Sequence, residues 1–261
     1  MPGIELRSGG EPFRCVYDPP ATLGSRVCLI VQSGQAGPID EPTTENRLYE
    51  RLGLRLSRHG AGTIRFEMQH RADRHLAASP AEFAERVRRL ESVLAAPDLQ
   101  PLLPRTVLLG ASLGADVVLA ALSSKRAANI RLAGLVLIGC VIEAPVRLRA
   151  RVGAAAFVYG AGDYVAYVDA AGNQTAPRRP ADYAPATLRR LAGVDAAAKL
   201  HILDGLGHTL APCVEMQRAP DPVPLLTRLV LRTCAGHASP DGDHRVGWNG
   251  ETPNSALERS A

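Results

Sequence analysis

The stretch Val107-Leu108-Leu109-Gly110-Ala111-Ser112-Leu113-Gly114-Ala115 joins a short apolar run to a G-x-S-x-G pattern and then to small and apolar residues. The apolar run predicts a buried strand, and the spacing of Val117, Val118 and Leu122 predicts a helix that begins just after Ser112. A nucleophile on such a strained turn needs very small neighbours two positions away on each side, because larger side chains would collide with the adjoining strand or helix. The pattern therefore predicts Ser112 as a nucleophile.

The same turn places Ser112 at the amino end of a helix, where the positive end of the helix dipole favours developing negative charge. The backbone N–H of Leu113 is therefore predicted as one donor of an oxyanion hole. A chain with 24 glycines can also contain G-x-S-x-G by chance. The strand before the pattern and the helix after it favour the catalytic interpretation.

Strand and helix signals alternate along the chain. Further buried strands are predicted at Val27–Val31, Thr63–Phe66 and Leu135–Ile138, and their continuous apolar runs suit a parallel sheet that is covered on both faces. Helices are predicted around Leu48, Leu52 and Leu56, from the Ser79-Pro80-Ala81-Glu82 cap through Leu94, and over Pro224–Thr233. The alternation predicts an α/β fold with helices on both faces of the sheet.

Two further signals complete the predicted sheet. Ile4–Arg7 and Phe13–Tyr17 suggest an antiparallel hairpin across Gly9-Gly10, and Ala155–Tyr159 and Leu200–Leu203 suggest two later strands, which gives about eight strands in all. Residues 236–261 are rich in Gly, Pro, Ser, Asp and Asn and predict a flexible C-terminal tail. Residues 1–235 are therefore predicted to form one domain.

The composition excludes several classes of function. A net charge of +4 is small, and the 30 Lys and Arg are interleaved with 26 Asp and Glu, which argues against nucleic acid as a partner. No apolar run predicts secretion or a membrane span, and no Cys, His or carboxylate spacing predicts a metal or another cofactor. The five cysteines are odd in number and widely spaced, which predicts reduced thiols and a cytoplasmic protein.

On the Val107–Ala115 stretch and the strands around it, the sequence resembles the α/β-hydrolase superfamily from about Val27 to Ala235. The resemblance implies a chain order of nucleophile, acid and histidine, with the acid and the histidine each following a later strand. Asp163, in Gly160-Ala161-Gly162-Asp163, matches the acid loop, and Asp169 and Asp182 are its reserves. His208, after Gly207 beyond the last strand, matches the base.

The resemblance also implies a second oxyanion donor after the third strand. Ser33-Gly34 stands where many relatives carry His-Gly, which points to the backbone N–H of Gln35. The stretch from Val31 through Leu48 to Phe66 is similar to the serine-aminopeptidase-like branch and to small uncapped esterases. One residue is added between Gly34 and Gly37, and Glu67-Met68-Gln69-His70-Arg71 replaces the usual Asp-x-Arg-Gly.

The segment from Cys140 to Val152 is too short for a helical lid, so an open pocket is expected. Arg147, Arg149 and Arg151 are one candidate for its edge, but runs of charge usually form a solvated loop, and that interpretation is favoured here. The segment from Tyr164 to Tyr183 is the other candidate edge. The expected function is hydrolysis of a carboxylic ester, thioester or lactone through an acyl-enzyme, with a small-molecule acyl substrate. An acyltransferase or cyclase using the same triad and a non-catalytic binding protein of the same fold stay open as alternatives. The oligomeric state is left open.

Overall fold

The computed structural model describes residues 3–8, 10–21, 26–68, 78–164, 178–213 and 219–235. The predicted hairpin is confirmed as β1 (Gly3–Ser8) and β2 (Glu11–Asp18), and Gly10 between them has φ +94°. The predicted central strands are β3 (Arg26–Val31), β4 (Ala61–Phe66), β5 (Thr106–Ala111) and β6 (Arg131–Ile138). The remaining strands are β7 (Val146–Gly160), β8 (Leu191–Val194) and β9 (Lys199–Leu203).

These nine strands form one sheet in the order β1-β2-β4-β3-β5-β6-β7-β8, and β9 also pairs with β7. The pairs β1–β2 and β2–β4 are antiparallel, whereas every pair among β3 to β9 is parallel. The predicted mostly parallel sheet is therefore confirmed. Its carboxyl edge collects the segments that follow β3, β5, β6, β7 and β9, as parallel strands require.

Five α-helices of the described residues cover the two faces of the sheet. They are α1 (Thr44–Arg58), α2 (Pro80–Ala95), α3 (Leu113–Ser123), α4 (Pro180–Arg190) and α5 (Val223–Ala235). α1 and α5 pack on one face with Cys28, Ile30 and Leu109 of the sheet. α2, α3 and α4 pack on the other face with Leu29, Leu108 and Phe157. The strands therefore supply buried side chains to both faces, which explains their continuous apolar sequences.

The first residues of α1 and α2 are held by side-chain caps. Ser79 and Glu82 form the predicted capping box of α2, in which Ser79 Oγ accepts from the Glu82 amide and the Glu82 carboxylate accepts from the Ser79 amide. Thr43 caps α1 by accepting from the Asn46 amide at 3.1 Å. Among the helices of the described residues, none combines the length and the apolar character that crossing a lipid bilayer requires.

The structure differs from the sequence-based predictions in one loop and in two elements that were not predicted. The stretch predicted as a loop from Cys140 to Val152 becomes strand from Val146 onward, and Arg147, Arg149 and Arg151 lie on the exposed side of β7 while Leu148 and Ala150 are buried. The helix α4 and the strand β8 were also not predicted. Because of β8, the described residues contain nine strands instead of about eight. The domain boundary at residue 235 stays a prediction, because residues 236–261 lie outside the described part of the chain.

Candidate active site

The turn between β5 and α3 holds Ser112 in a rare backbone conformation. Ser112 has φ 50° and ψ −123°, and its N–H donates to the Ile138 carbonyl at the end of β6 at 2.8 Å. A Cβ atom on Gly110 would lie 2.9 Å from the Ala115 Cα, and one on Gly114 would lie 2.3 Å from the Val31 oxygen. The two glycines are therefore required by close backbone approach, as the G-x-S-x-G spacing predicts.

Asp163 and His208 are brought together by two loops at the carboxyl edge of the sheet. His208 Nδ1 donates to Asp163 Oδ1 at 2.8 Å, and the aspartate is buried with 2% of its surface exposed. The Gly162 N–H donates to the Leu206 carbonyl at 2.9 Å, which joins the acid loop to the base loop. A Cβ atom on Gly160 would lie 2.1 Å from that same carbonyl, so only glycine permits this approach.

The base loop has an unusual backbone after His208. Thr209 and Leu210 both adopt positive φ, at 54° and 63°. Left-handed conformations cost free energy in residues other than glycine and persist only where the surroundings enforce them. Here the Gly207 N–H donates to the Ala211 carbonyl at 2.7 Å and closes the loop around His208. The loop therefore holds the imidazole against Asp163 at a cost in local strain.

Gly139 links the nucleophile to the pair of His208 and Asp163. It directly follows Ile138, whose carbonyl accepts from Ser112, and it has φ +58°. A Cβ atom on Gly139 would lie 2.9 Å from His208 Cε1 and 3.2 Å from Asp163 Oδ2. Gly139 therefore touches the pair of His208 and Asp163 and directly follows the residue that binds the backbone of Ser112. The hydrogen bonds of the described residues do not include one between the Ser112 hydroxyl and the His208 ring, and such contacts often tighten only when substrate binds.

The charges around His208 favour its protonated form. Burial alone would lower the pKa of His208, but its hydrogen bond to Asp163 and the charges of Asp163, Glu45 and Asp116 outweigh this effect and raise the pKa. Asp116 lies one turn after Ser112 on α3 and still reaches solvent. The protein around it reduces its hydration and raises its pKa to about 6, the charge of His208 opposes this shift and Glu143 adds to it.

The two predicted oxyanion donors differ in their surroundings. Among the described residues, the Leu113 N–H at the start of α3 has no hydrogen-bond partner, so it is free to bind an oxyanion. The Gln35 N–H instead donates to Ser33 Oγ at 3.1 Å. The second predicted donor is therefore occupied within its own loop.

A cavity of about 440 Å³ opens between α3 and residues 141–147, the segment that follows β6. Its lining includes Leu119, Ala120 and Ile142 as apolar groups and Asp116 and Glu143 as acidic groups. Asp116 is close enough to His208 for each to affect the pKa of the other. The cavity thus adjoins the candidate catalytic groups through Asp116.

Several residues at the site were not predicted from the sequence. Glu45, Asp116 and Gly139 surround the predicted triad, and the only sequence signal for Asp116 is its position four residues after Ser112, one helical turn away. Of the reserve acids, Asp182 accepts from the Arg179 amide in the first turn of α4 and is not paired with His208. Asp169 lies outside the described residues.

Solved structures of other proteins share this architecture. A dienelactone hydrolase from Anabaena variabilis is 14% identical over 90% of this chain and 97% of its own, with a TM-score of 0.60. A lidless serine hydrolase from Xanthomonas campestris is 16% identical over 90% of this chain and 94% of its own, with a TM-score of 0.56. A cold-adapted esterase from an Arctic intertidal metagenomic library is 18% identical over 87% and 92%, with a TM-score of 0.57.

The chain therefore has the α/β-hydrolase fold, and the resemblance seen in the sequence is confirmed at the level of the fold. No family model and no curated protein matches the chain. The choice of the serine-aminopeptidase-like or the small esterase branch stays a prediction.

Proposed function

We propose that the protein is a serine hydrolase that cleaves a carboxylic ester, thioester or lactone of a small molecule. The observation that carries this proposal is the 2.8 Å hydrogen bond between His208 Nδ1 and buried Asp163 Oδ1, beside a serine on a strained strand-to-helix turn. A buried carboxylate that fixes the tautomer of a histidine leaves Nε2 free to accept a proton, as a general base requires. The structural neighbours that are an esterase and a dienelactone hydrolase support the ester and lactone classes.

The chemistry follows from these positions. The Ser112 hydroxyl attacks the substrate carbonyl carbon while its proton passes to His208 Nε2, and the Leu113 N–H stabilises the resulting oxyanion. Asp163 stabilises the imidazolium. The oxyanion then collapses, the bond to the leaving alcohol or thiol breaks, and His208 returns the proton to that leaving group. Water repeats the sequence on the acyl-enzyme and releases the acid and free Ser112.

The cavity between α3 and residues 141–147 is the proposed binding site for one side of the substrate. Its volume of about 440 Å³ lies in the range of small-molecule sites, and its apolar groups suit a hydrocarbon portion. Among the described residues, Cys15, Cys140 and Cys213 form no disulfide, which supports the further proposal of a reducing, cytoplasmic location.

A fluorophosphonate probe tests the nucleophile. The wild-type protein is expected to be labelled at Ser112, and Ser112→Ala is expected to lose labelling and hydrolysis of short p-nitrophenyl esters. Ser92→Ala is a matched control, because the Ser92 hydroxyl donates to the Arg88 carbonyl on the surface of α2, away from the site. Peptide mapping that finds the probe elsewhere, or no probe on the wild-type protein, would contradict the proposal.

A non-catalytic binding protein is the second candidate, and one observation favours it. The Gln35 N–H, predicted as an oxyanion donor, is bonded to Ser33 Oγ. Under this alternative, an ester ligand raises the melting temperature without being hydrolysed, and the fluorophosphonate does not react. The labelling experiment therefore separates the two candidates.

A further inference from the structure

A buried carboxylate of α1 binds the loop that precedes the helix. Glu45 has 8% of its surface exposed, and its Oε1 accepts the Ser33 N–H at 2.9 Å and the Tyr49 hydroxyl at 2.6 Å. The other oxygen, Oε2, accepts from the Ser33 hydroxyl. Among the described residues, no Lys or Arg forms an ion pair with Glu45. The carboxylate is therefore stabilised in the interior by neutral donors, of which two belong to Ser33.

Ser33 carries this interaction along the β3–α1 loop, which comprises residues 32–43. Its hydroxyl donates to Glu45 and accepts the Gln35 N–H at 3.1 Å, so a continuous chain of hydrogen bonds runs from the carboxylate to the predicted oxyanion donor. Asn46, the next residue of α1, fixes the rest of the loop, because its Nδ2 donates to the Pro38 and Glu41 carbonyls at 2.7 and 2.8 Å.

The β3–α1 loop lies against the helix that carries the nucleophile. A Cβ atom on Gly114 would lie 2.5 Å from the Gln32 carbonyl oxygen, so the start of the loop touches the first turn of α3. Glu45 is also close enough to His208 for its charge to raise the pKa of that imidazole. Glu45 thus bonds to the loop that is expected to bind the oxyanion, and its charge also acts on the base.

We propose that Glu45 is a positioning residue for the oxyanion hole. It acts through Ser33 to hold the Gln35 N–H in place until the substrate oxyanion replaces Ser33 Oγ as the hydrogen-bond acceptor. This inference rests on the proposed hydrolase function. A Glu that only filled space on α1 would not need to bind both the N–H and the O–H of Ser33. A loop held in one conformation keeps the donor close to its working position, so that only its hydrogen-bond acceptor has to change when the oxyanion forms.

Glu45→Gln tests the inference with the least change of shape. The glutamine carbonyl can still accept the Ser33 N–H, but its NH₂ group cannot accept the Ser33 hydroxyl, so the charged acceptor that orients this hydroxyl beneath the Gln35 N–H is lost. We expect kcat for an ester substrate to fall about 10²-fold with KM nearly unchanged, as for the loss of one oxyanion donor. The acid limb of the kcat/KM profile should also move to lower pH, because His208 loses one of the charges that raise its pKa.

Three further variants define the outcome. Ser33→Ala should reproduce the loss of kcat without moving the acid limb, and Ser33→Thr, which keeps a hydroxyl, should retain most of the activity. Glu50→Gln removes the same charge from an exposed position of α1 and should behave like the wild-type protein. If Glu45→Gln does not fold, the two Ser33 variants still test the link from the loop side.

The inference and the proposed function can fail separately. Wild-type kcat and an unmoved acid limb in Glu45→Gln, with an active wild-type enzyme, would overturn the role of Glu45. If the wild-type protein is inactive, the hydrolase proposal fails, and amide hydrogen exchange tests Glu45 without turnover. Exchange at Ser33 and Gln35 should then be faster in Glu45→Gln than in Glu50→Gln, and equal exchange would overturn the role.

Discussion

Gly139 controls the geometry of the candidate site at the scale of a single residue. We predict that Gly139→Ala lowers kcat by about 10²-fold or more, because its methyl group would lie 2.9 Å from His208 Cε1 and force the imidazole from its position. Gly10→Ala is the matched control: Gly10 also has positive φ, at +94°, but a Cβ there would meet nothing within 4 Å. Both variants should lose about 1 kcal/mol of stability through backbone strain.

Ester hydrolysis and urea unfolding of both glycine variants check this prediction. A Gly139→Ala enzyme with the activity of Gly10→Ala would show that the close contact with His208 and Asp163 does not matter. The comparison separates contact from strain, since only Gly139 has both.

Asp116 predicts a dependence of stability on pH. Its pKa in the folded protein is raised from the ordinary value of 3.8 to about 6. Between these values the folded state holds a proton that the unfolded state has released, so this group lowers the stability increasingly as the pH rises, and its full cost is present above about pH 6. Asp116→Asn removes the ionisation. We therefore expect the variant to gain stability relative to the wild-type protein as the pH rises through this window.

Urea unfolding at about pH 4 and about pH 7 measures this difference. Asp98→Asn, an exposed change of the same kind, is the control and should show no such trend. A constant difference between Asp116→Asn and the wild-type protein at both pH values would show that Asp116 ionises as it does in water.

At the scale of secondary-structure elements, the N-cap residues of α1 and α2 make different contacts. The Ser79 hydroxyl accepts the Glu82 N–H within α2, whereas the Thr43 hydroxyl both accepts the Asn46 N–H and donates to the Ala36 carbonyl within the β3–α1 loop. Thr43→Ala and Ser79→Ala should each cost about 1 kcal/mol of stability. Only Thr43→Ala should also lower kcat.

Chemical denaturation and ester kinetics of the two cap variants check this expectation. Equal activities at equal loss of stability would show that the β3–α1 loop does not depend on the cap of α1.

The elements that sequence reasoning found are those with continuous apolar runs or a helix-start signal. The central strands and the capping box of Ser79 and Glu82 belong to this group. The first half of β7 was missed because Arg147, Arg149 and Arg151 alternate with buried residues, and the charges were interpreted as a loop. α4 has Pro185 in its interior, and proline usually ends or bends a helix.

The candidate site follows the same division. Ser112, Asp163 and His208 stand in local patterns that can be recognised in the sequence, and the structure places them at one sheet edge. Glu45 and Gly139 act through contacts between segments that are distant in sequence, and no local pattern marks such contacts. The bond between the Gln35 N–H and Ser33 Oγ also depends on the conformation of the loop, which the sequence does not specify.

At the scale of the whole molecule, buried thiols lie in the cores on both faces of the sheet, so their reactivity can follow the unfolding of each core. Cys28 is buried beneath α1 and α5, whereas Cys15 and Cys140 belong to the core on the opposite face. Burial raises the pKa of Cys15 to about 12 and raises that of Cys140 well above its usual value. These thiols should therefore resist alkylation in the native protein, while the partly exposed Cys213 reacts.

Pulsed alkylation followed by peptide mass spectrometry measures each thiol during urea unfolding. Because both cores share one sheet, Cys15, Cys28 and Cys140 should become reactive in a single transition. Exposure of Cys28 at a lower urea concentration than the other two would show that the layer formed by α1 and α5 opens independently.

The constraint on Gly139 extends beyond this molecule. Any descendant that keeps an imidazole and a carboxylate packed over the end of β6 must keep a residue without a side chain there, however far the rest of its sequence has drifted. Genome searches can therefore combine the serine turn with a glycine directly after the next strand, and detect distant homologues that overall similarity does not reveal.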